Sequence, residues 1–437
     1  MDLVIRGRRV VTPDGLRPAA LHINEGRIRR VAPWDDFPPA AETFDAGELI
    51  VMPGIVDTHV HVNEPGRTDW EGFETATLAA AAGGVTTILD MPLNSIPATT
   101  SVAALEEKRA AARGKTTVNV EFIGGVIPGN SEELAGLRDG GVRAFKCFLA
   151  PSGVDEFPNV TDDDLIVAFP ILSRLGIPLM VHAEDPTRLR PLVGGSRNYA
   201  EYLATRPAES ERAAIELLIR LMDWCPTPVH VVHLSSAASL AIIRDARVRG
   251  LPLTVETCPH YLTFAAEAIP DGATAFKCAP PIREASEREA LWSALKAGDI
   301  DLVVSDHSPC LPSLKDTGGD FISAWGGIAS LQLSLSAVWT GARARDVPPE
   351  RLAIWMSAAP ARLAGLSTKG VLAEGYDADI VVWDPEASFV VDTASLRHRH
   401  RQTPYLDCEL FGVVVGTWVA GRRVFATEQP HTKSRET

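Results

Sequence analysis

Apolar β-branched runs alternate with helical periodicities through the middle of the chain. Strand candidates are Val51–Thr58, Val85–Met91, Val118–Ile123, Ala144–Leu149, Leu179–His182, Val229–Leu234, Leu253–Glu256 and Leu302–Asp306. Between them the spacing predicts helices, among them Phe73–Ala82, Val102–Arg113, Ser210–Trp224, Ala237–Arg247 and Ser286–Ala297. Such alternation implies a parallel sheet, because parallel neighbours need a crossover that a helix supplies. Eight βα units over roughly 250 residues fit a closed (β/α)8 TIM-like barrel, with a doubly wound open sheet as the alternative.

The two ends read differently. Short strands Leu3–Ile5, Arg8–Val11, Ala20–Asn24 and Arg27–Val31 are punctuated by Pro13-Asp14-Gly15 and Asn24-Glu25-Gly26. Asp379–Trp383, Phe389–Val391, Leu410–Val415 and Thr417–Val424 form a second β-rich stretch. Either set alone leaves sheet edges and an apolar face uncovered. We therefore expect one small β-sandwich domain built from both ends. The expected partition is 1–50 for its N-terminal half, 51–374 for the barrel, and 375–437 for its C-terminal half and a tail. Residues Glu428–Thr437 of that tail are expected to be disordered.

Composition narrows the class of partner. The 437 residues are 46% hydrophobic and 22% charged, which is ordinary for a folded protein and excludes fibrous or disordered classes. The formal net charge of −14 argues against nucleic acid and against an anionic membrane surface as partners. No apolar run is long enough for a membrane span, and MDLVIRGRRVVTPDG lacks the order of a signal peptide. Six scattered cysteines with no CxxC pair fit reduced thiols and a cytoplasmic location.

Candidate chemistry begins at Asp57-Thr58-His59-Val60-His61. Alternate strand residues share a face, so His59 and His61 can share a metal ion. Two unrelated histidines at a strand end are the bland alternative. Arg397-His398-Arg399-His400-Arg401 has the same spacing, but its three arginines oppose a cation, and it reads as a solvated or interface loop. Further candidates stand near the ends of other predicted strands: Lys146 on the fourth, His182 on the fifth, His233 on the sixth, Asp306 on the eighth. Catalytic groups of barrels gather at such ends. His230 lies at an odd offset from His233, on the opposite face, and reads as a packing residue. Lys146 is the odd member: an ammonium repels a metal, and the alternative is a lysine snorkelling to the barrel mouth. Cys147, Cys278 and Cys310 read as small packing residues, and Gly83-Gly84 as a helix C-cap.

Together these residues resemble the cyclic-amidohydrolase branch of the amidohydrolase superfamily, which holds dihydroorotases, hydantoinases and allantoinases. The resemblance covers nearly the whole chain and implies the same barrel and β-sandwich. It also implies two divalent metal ions: His59 and His61 on the first, His182 and His233 on the second, Asp306 on the first. Lys146, carbamylated, would bridge them as an anionic ligand. Zinc heads the expected metals, with iron, cobalt, manganese or nickel set by availability. Asp306 is the expected catalytic proton carrier for a metal-bridging hydroxide.

Within the branch the motifs most resemble allantoinases. They are His61–Phe73, Asp90-Met91-Pro92-Leu93-Asn94-Ser95, Glu256-Thr257-Cys258-Pro259-His260-Tyr261-Leu262, Lys277–Arg283 and Ser305-Asp306-His307-Ser308-Pro309-Cys310. Dihydroorotases carry an arginine where Asn63 stands, to pair with a substrate carboxylate. Hydantoinases carry a tyrosine where Pro151 stands, with Ser152 the nearest hydroxyl here. The implied reaction is hydrolysis of allantoin, a small neutral cyclic ureide, to allantoate. Asn63, Asn94, Cys278, Ala279 and Gly327 are the implied substrate contacts. A hydantoinase is the alternative, and a metal-free scaffold relative is a further one. The family also implies a homo-oligomer, a tetramer.

Overall fold

The computed structural model describes residues 1–192 and 194–427, so the tail expected to be disordered lies outside the described residues. Strands from both ends form one eight-stranded sheet. Its N-terminal members are Leu3–Thr12, Gly15–Asn24, Arg27–Ala32, Glu42–Asp45 and Ile50–Pro53; its C-terminal members are Ile380–Val390, Glu409–Val419 and Arg422–Ala426. The join is Ile50–Pro53, which pairs in parallel with Leu3–Thr12 and antiparallel with Ile380–Val390.

The expected strand Val51–Thr58 divides at Gly54, which carries the chain from this sheet into the barrel. Gly54 packs so tightly that an added Cβ would fall 2.2 Å from the Thr86 hydroxyl oxygen, so only glycine passes there. The short terminal strands of the sequence reading merge into longer ones because bulges absorb the breaks in alternation. The shift between Gly7 and Val10 is one, and the shift between Asp384 and Ser388 another.

The barrel strands, in order, are β1 (Ile55–Val60), β2 (Val85–Asp90), β3 (Asn119–Phe122, resumed at Gly124–Gly125), β4 (Phe145–Phe148), β5 (Leu179–His182), β6 (Val229–Val231), β7 (Leu253–Thr257) and β8 (Leu302–Val303). Each pairs in parallel with the next. Closure runs through bridges from His307 to Val60 and to Ile328, and through the His61 amide donating to the His307 carbonyl at 2.8 Å. The strands are buried along their lengths because helices cover the outer face and side chains fill the interior. Val56, Leu89 and Met180 from β1, β2 and β5, and Ile123, Ala144 and Val232 adjoining β3, β4 and β6, pack inside with Ala361, Ala364 and Leu366. This apolar plug leaves only one end of the barrel for chemistry. Among the described residues no helix is long and apolar enough to cross a membrane.

Candidate active site

His59 is the penultimate residue of β1 and His61 follows its last residue, Val60; their rings lie 5.6 Å apart. His59 Nδ1 meets Glu256 Oε1 at 2.6 Å, and the other oxygen of Glu256 takes His230 Nε2 at 2.8 Å. Thr254 lies 2.8 Å from His230 Nδ1. Burial pushes the Glu256 carboxyl up, but His59 and His230 outweigh it and hold it at about 2. An ionised carboxylate only accepts, so both rings donate to it. His59 is thereby left with a bare Nε2, and that lone pair faces Asp306 Oδ1 at 3.2 Å.

His182 is set by the same logic through its other nitrogen. Nε2 meets Glu184 Oε2 at 2.7 Å, and Arg206 binds that oxygen as well. Burial pushes the Glu184 carboxyl up, but Arg206 and His182 outweigh it and hold it at about 2. The His182 proton therefore sits on Nε2. Its bare Nδ1 lies 3.1 Å from His233 Nε2, close to the separation of about 3.3 Å that two imidazoles adopt on one tetrahedral ion. Burial lowers His182 to about 4 and His233 well below the ordinary range, so both rings are neutral and able to ligate near pH 7.

Lys146, from the middle of β4, is fully buried, and its Nζ has no hydrogen-bond partner among the described residues. The centroid of the Phe148 ring lies 4.7 Å from that Nζ. Burial pulls the ammonium down to about 8 despite Glu256 and Asp306 nearby. A buried amine without a partner is costly and invites modification or a ligand. His61 Nδ1 contacts the Asn94 amide at 3.2 Å, and its Nε2 lies 3.8 Å from Asp306 Oδ1. His59, His233 and Asp306 place ligand atoms within 4.8 Å of one another. Bare nitrogens, an ionisable carboxylate and a buried amine without a hydrogen-bond partner converge, and this donor set fits divalent metal ions.

The periodicity argument for His230 does not hold in the structure. His230 shares the interior with Val232, and His233 turns inward as well because its φ of 42° breaks the strand alternation. Asp306 (φ 46°), Asn63 (φ 66°) and Asn94 (φ 68°) are also left-handed, a strain that clusters at working sites. The arginine-rich segment is not a solvated loop throughout. His398 is buried, and Arg399 donates to the Glu71 carbonyl, so the segment seals the barrel rim.

The histidines and Asp306 line a cavity of about 500 Å³, of the size that encloses a small ligand. Asn94 and Ala279 line it; Asn63, Cys278 and Gly327 are not among its lining residues. Asn63 instead donates to the Pro309 carbonyl at 3.1 Å, and the Cys278 carbonyl accepts from Tyr202. Pro151 and Ser152 form part of the wall, and the Ser152 hydroxyl donates to the Phe157 carbonyl at 2.6 Å. The opposite wall is held by Lys315, whose buried Nζ donates to the carbonyls of Lys277, Trp325 and Gly327 at 2.7, 2.8 and 2.6 Å. Glu256, Glu184, Arg206 and Lys315 escape the sequence reading. A carboxylate inside the apolar run of β7, and another two residues after His182, were the available signals for the first two.

Residues 50–424 match the amidohydrolase family. The chain is 51% identical to an allantoinase of Streptomyces avermitilis, over 98% of this chain and 96% of that protein. It is 43% identical to an allantoinase of Arabidopsis thaliana, over 96% and 87% respectively. Among solved structures it superposes on an L-hydantoinase (dihydropyrimidinase) from Arthrobacter aurescens with a TM-score of 0.93 at 31% identity, covering 98% of this chain and 97% of that one. The chain belongs to the amidohydrolase family and is a metal-dependent hydrolase of cyclic amides.

Proposed function

We propose that this amidohydrolase opens the ring of allantoin by hydrolysing a ring amide, with allantoate as product. The observation that carries the reading is the 51% identity, along nearly the full length of both chains, to a protein named for that activity. Asn63 and Pro151 agree with it. An amide at 63 offers no guanidinium for an anionic ring, and Pro151 offers no donor to a hydantoin carbonyl. The likeness to an L-hydantoinase structure makes hydantoin the rival substrate.

In this reading His59, His61 and Asp306 would hold one divalent ion, His182 and His233 would hold a second, and Lys146, once carbamylated, would supply a further anionic ligand. Zinc suits the nitrogen and oxygen donors, as do iron, cobalt, manganese and nickel. When bound, the pair ionises water near neutral pH and polarises the attacked carbonyl. Lys146 reaches its ligand form because burial leaves much of its amine neutral near pH 8: carbon dioxide adds to Nζ and a proton departs. Glu256 and Glu184 hold the rings of His59 and His182 with bare nitrogens turned inward. Asp306 stands at the junction of both groups and carries the proton. The oxygen of water bonds to the carbonyl carbon, the ring C–N bond breaks, and Asp306 passes a water proton to the leaving nitrogen. Asn94 and Ala279 bound the ring, while Asn63 through the Pro309 carbonyl, Cys278 through Tyr202 and Gly327 through Lys315 support the wall behind it. We carry the family's homotetramer and a cytoplasmic location as parts of the same proposal.

The test is kcat/KM for allantoin, hydantoin, dihydrouracil and dihydroorotate with metal-replete protein. Allantoin is expected to lead. If hydantoin or dihydrouracil leads, the substrate is wrong while the hydrolase assignment stands.

A further inference from the structure

A second group of metal-competent side chains abuts the first. Cys258 and His260 flank the proline that starts the short helix Pro259–Thr263, directly after β7, and both are fully buried. Their ligand atoms and that of Asp306 lie within 4.8 Å of one another. The His260 ring is the independent observation. Neither of its nitrogens has a hydrogen-bond partner among the described residues, and its exposure is 0%. A neutral imidazole needs one acceptor and offers one lone pair, and leaving both unmet in the interior is unfavourable. Nothing in the hydrolytic reading uses this ring or the Cys258 thiol.

We propose that Cys258, His260 and Asp306 form a third metal site, for a thiophilic divalent cation such as cadmium or excess zinc, whose filling inhibits the enzyme. Sulfur, nitrogen and oxygen donors at this spacing suit a borderline or soft ion, and small side-chain shifts bring them to bonding distance. The site opens to the cavity past Asp306, which is itself a cavity residue. An ion there takes the carboxylate that the proposed mechanism uses to carry its proton. The inhibition rests on that reading of Asp306; the binding does not.

The experiment titrates metal-replete enzyme with cadmium ion, following metal content, the ultraviolet cadmium–thiolate charge-transfer band, and activity together. One further equivalent should bind while the original ions stay, and the band and the inhibition should follow one curve. Cys258→Ala should abolish the band, and His260→Asn should weaken cadmium binding by about 10-fold or more. Both variants should remain active without cadmium, and Cys225→Ala, at the half-buried cysteine that follows the helix Ala208–Trp224, should behave as the parent. A band that survives Cys258→Ala, or cadmium that only replaces the original ions with no thiolate band, overturns the proposal. His59→Ala separates the two readings: it strips the proposed catalytic pair, and the band must persist in it.

Discussion

His59 leans on Glu256, which leans in turn on the imidazole of His230; His182 leans on Glu184, which leans on the guanidinium of Arg206. Both carboxylates are buried and both are held ionised at about 2, yet the means differ. On the β1 side the carboxylate shares two ring N–H donors and lies wholly inside the barrel. On the β5 side a permanent cation at the cavity wall stabilises it. The two arrangements reach one end, a ring with its proton turned away and its lone pair turned inward, through opposite nitrogens. A metal site needs bare nitrogens, and the surrounding carboxylates decide which nitrogen is bare.

The severest break removes a ligand outright. His59→Ala or His61→Ala should cut turnover by about 10³-fold or more, since a lost metal contribution is worth several kcal/mol. Both proteins should stay folded, because the ligands stand above the apolar plug; circular dichroism with metal analysis checks this. Lys146→Ala should fall as far, and short carboxylic acids added in solution should recover part of the rate. Undiminished activity in metal-free protein would sink the whole assignment.

Next in size comes the comparison itself. Glu256→Gln and Glu184→Gln each replace an acceptor-only carboxylate by an amide that can donate, and each should weaken metal retention by about 10- to 100-fold. The Glu184 variant should lose more stability as well, because it strands the partly buried Arg206 cation at the cavity wall. Chelator competition and thermal melts separate the two effects. Equal melting temperatures would show that the guanidinium brace is no different in kind from the imidazole one.

Specificity is a smaller and sharper test. Allantoin should exceed dihydroorotate in kcat/KM by about 10²-fold or more, as a missing polar contact in a buried site allows. Asn63→Arg should slow allantoin turnover without creating a dihydroorotase, because it adds a charge where Asn63 now serves the Pro309 carbonyl.

The gentlest perturbation is pH. Burial lowers the Lys146 ammonium to about 8, so its neutral, reactive amine appears above that value. Uptake of ¹³C-labelled carbon dioxide by metal-free protein should therefore rise as pH climbs through about 8, and carbon-13 NMR reads it. A rise only near the ordinary lysine range would mean that burial does not act on this amine.

Much of the fold was open to reading from local pattern. The helix Phe73–Ala82 and the strand Leu179–His182 stand where periodicity places them, because each buries a face that short-range sequence defines. Pattern failed where geometry departs from regularity. Gly54 divides one apolar run between two sheets, and Glu42–Asp45, a short polar edge strand, had no alternation to betray it. His230 and His233 share the interior despite their odd offset, because the strand ends at Val231 and His233 adopts a φ of 42°.

Residue types and order along the chain determined the barrel, the pairing of its two ends and the set of candidate ligands, because hydrophobic period and strand-end position are local properties. Tertiary structure alone decided the protonation pattern. Glu256 reaches His59 from β7, 197 positions away, and Asp57 accepts from the Ser305 amide 248 positions on. Hydrogen bonds act over about 3 Å, whatever the separation in sequence. Which nitrogen is bare, which amine is neutral and which thiol stands beside Asp306 are therefore properties of contacts that only the closed barrel creates.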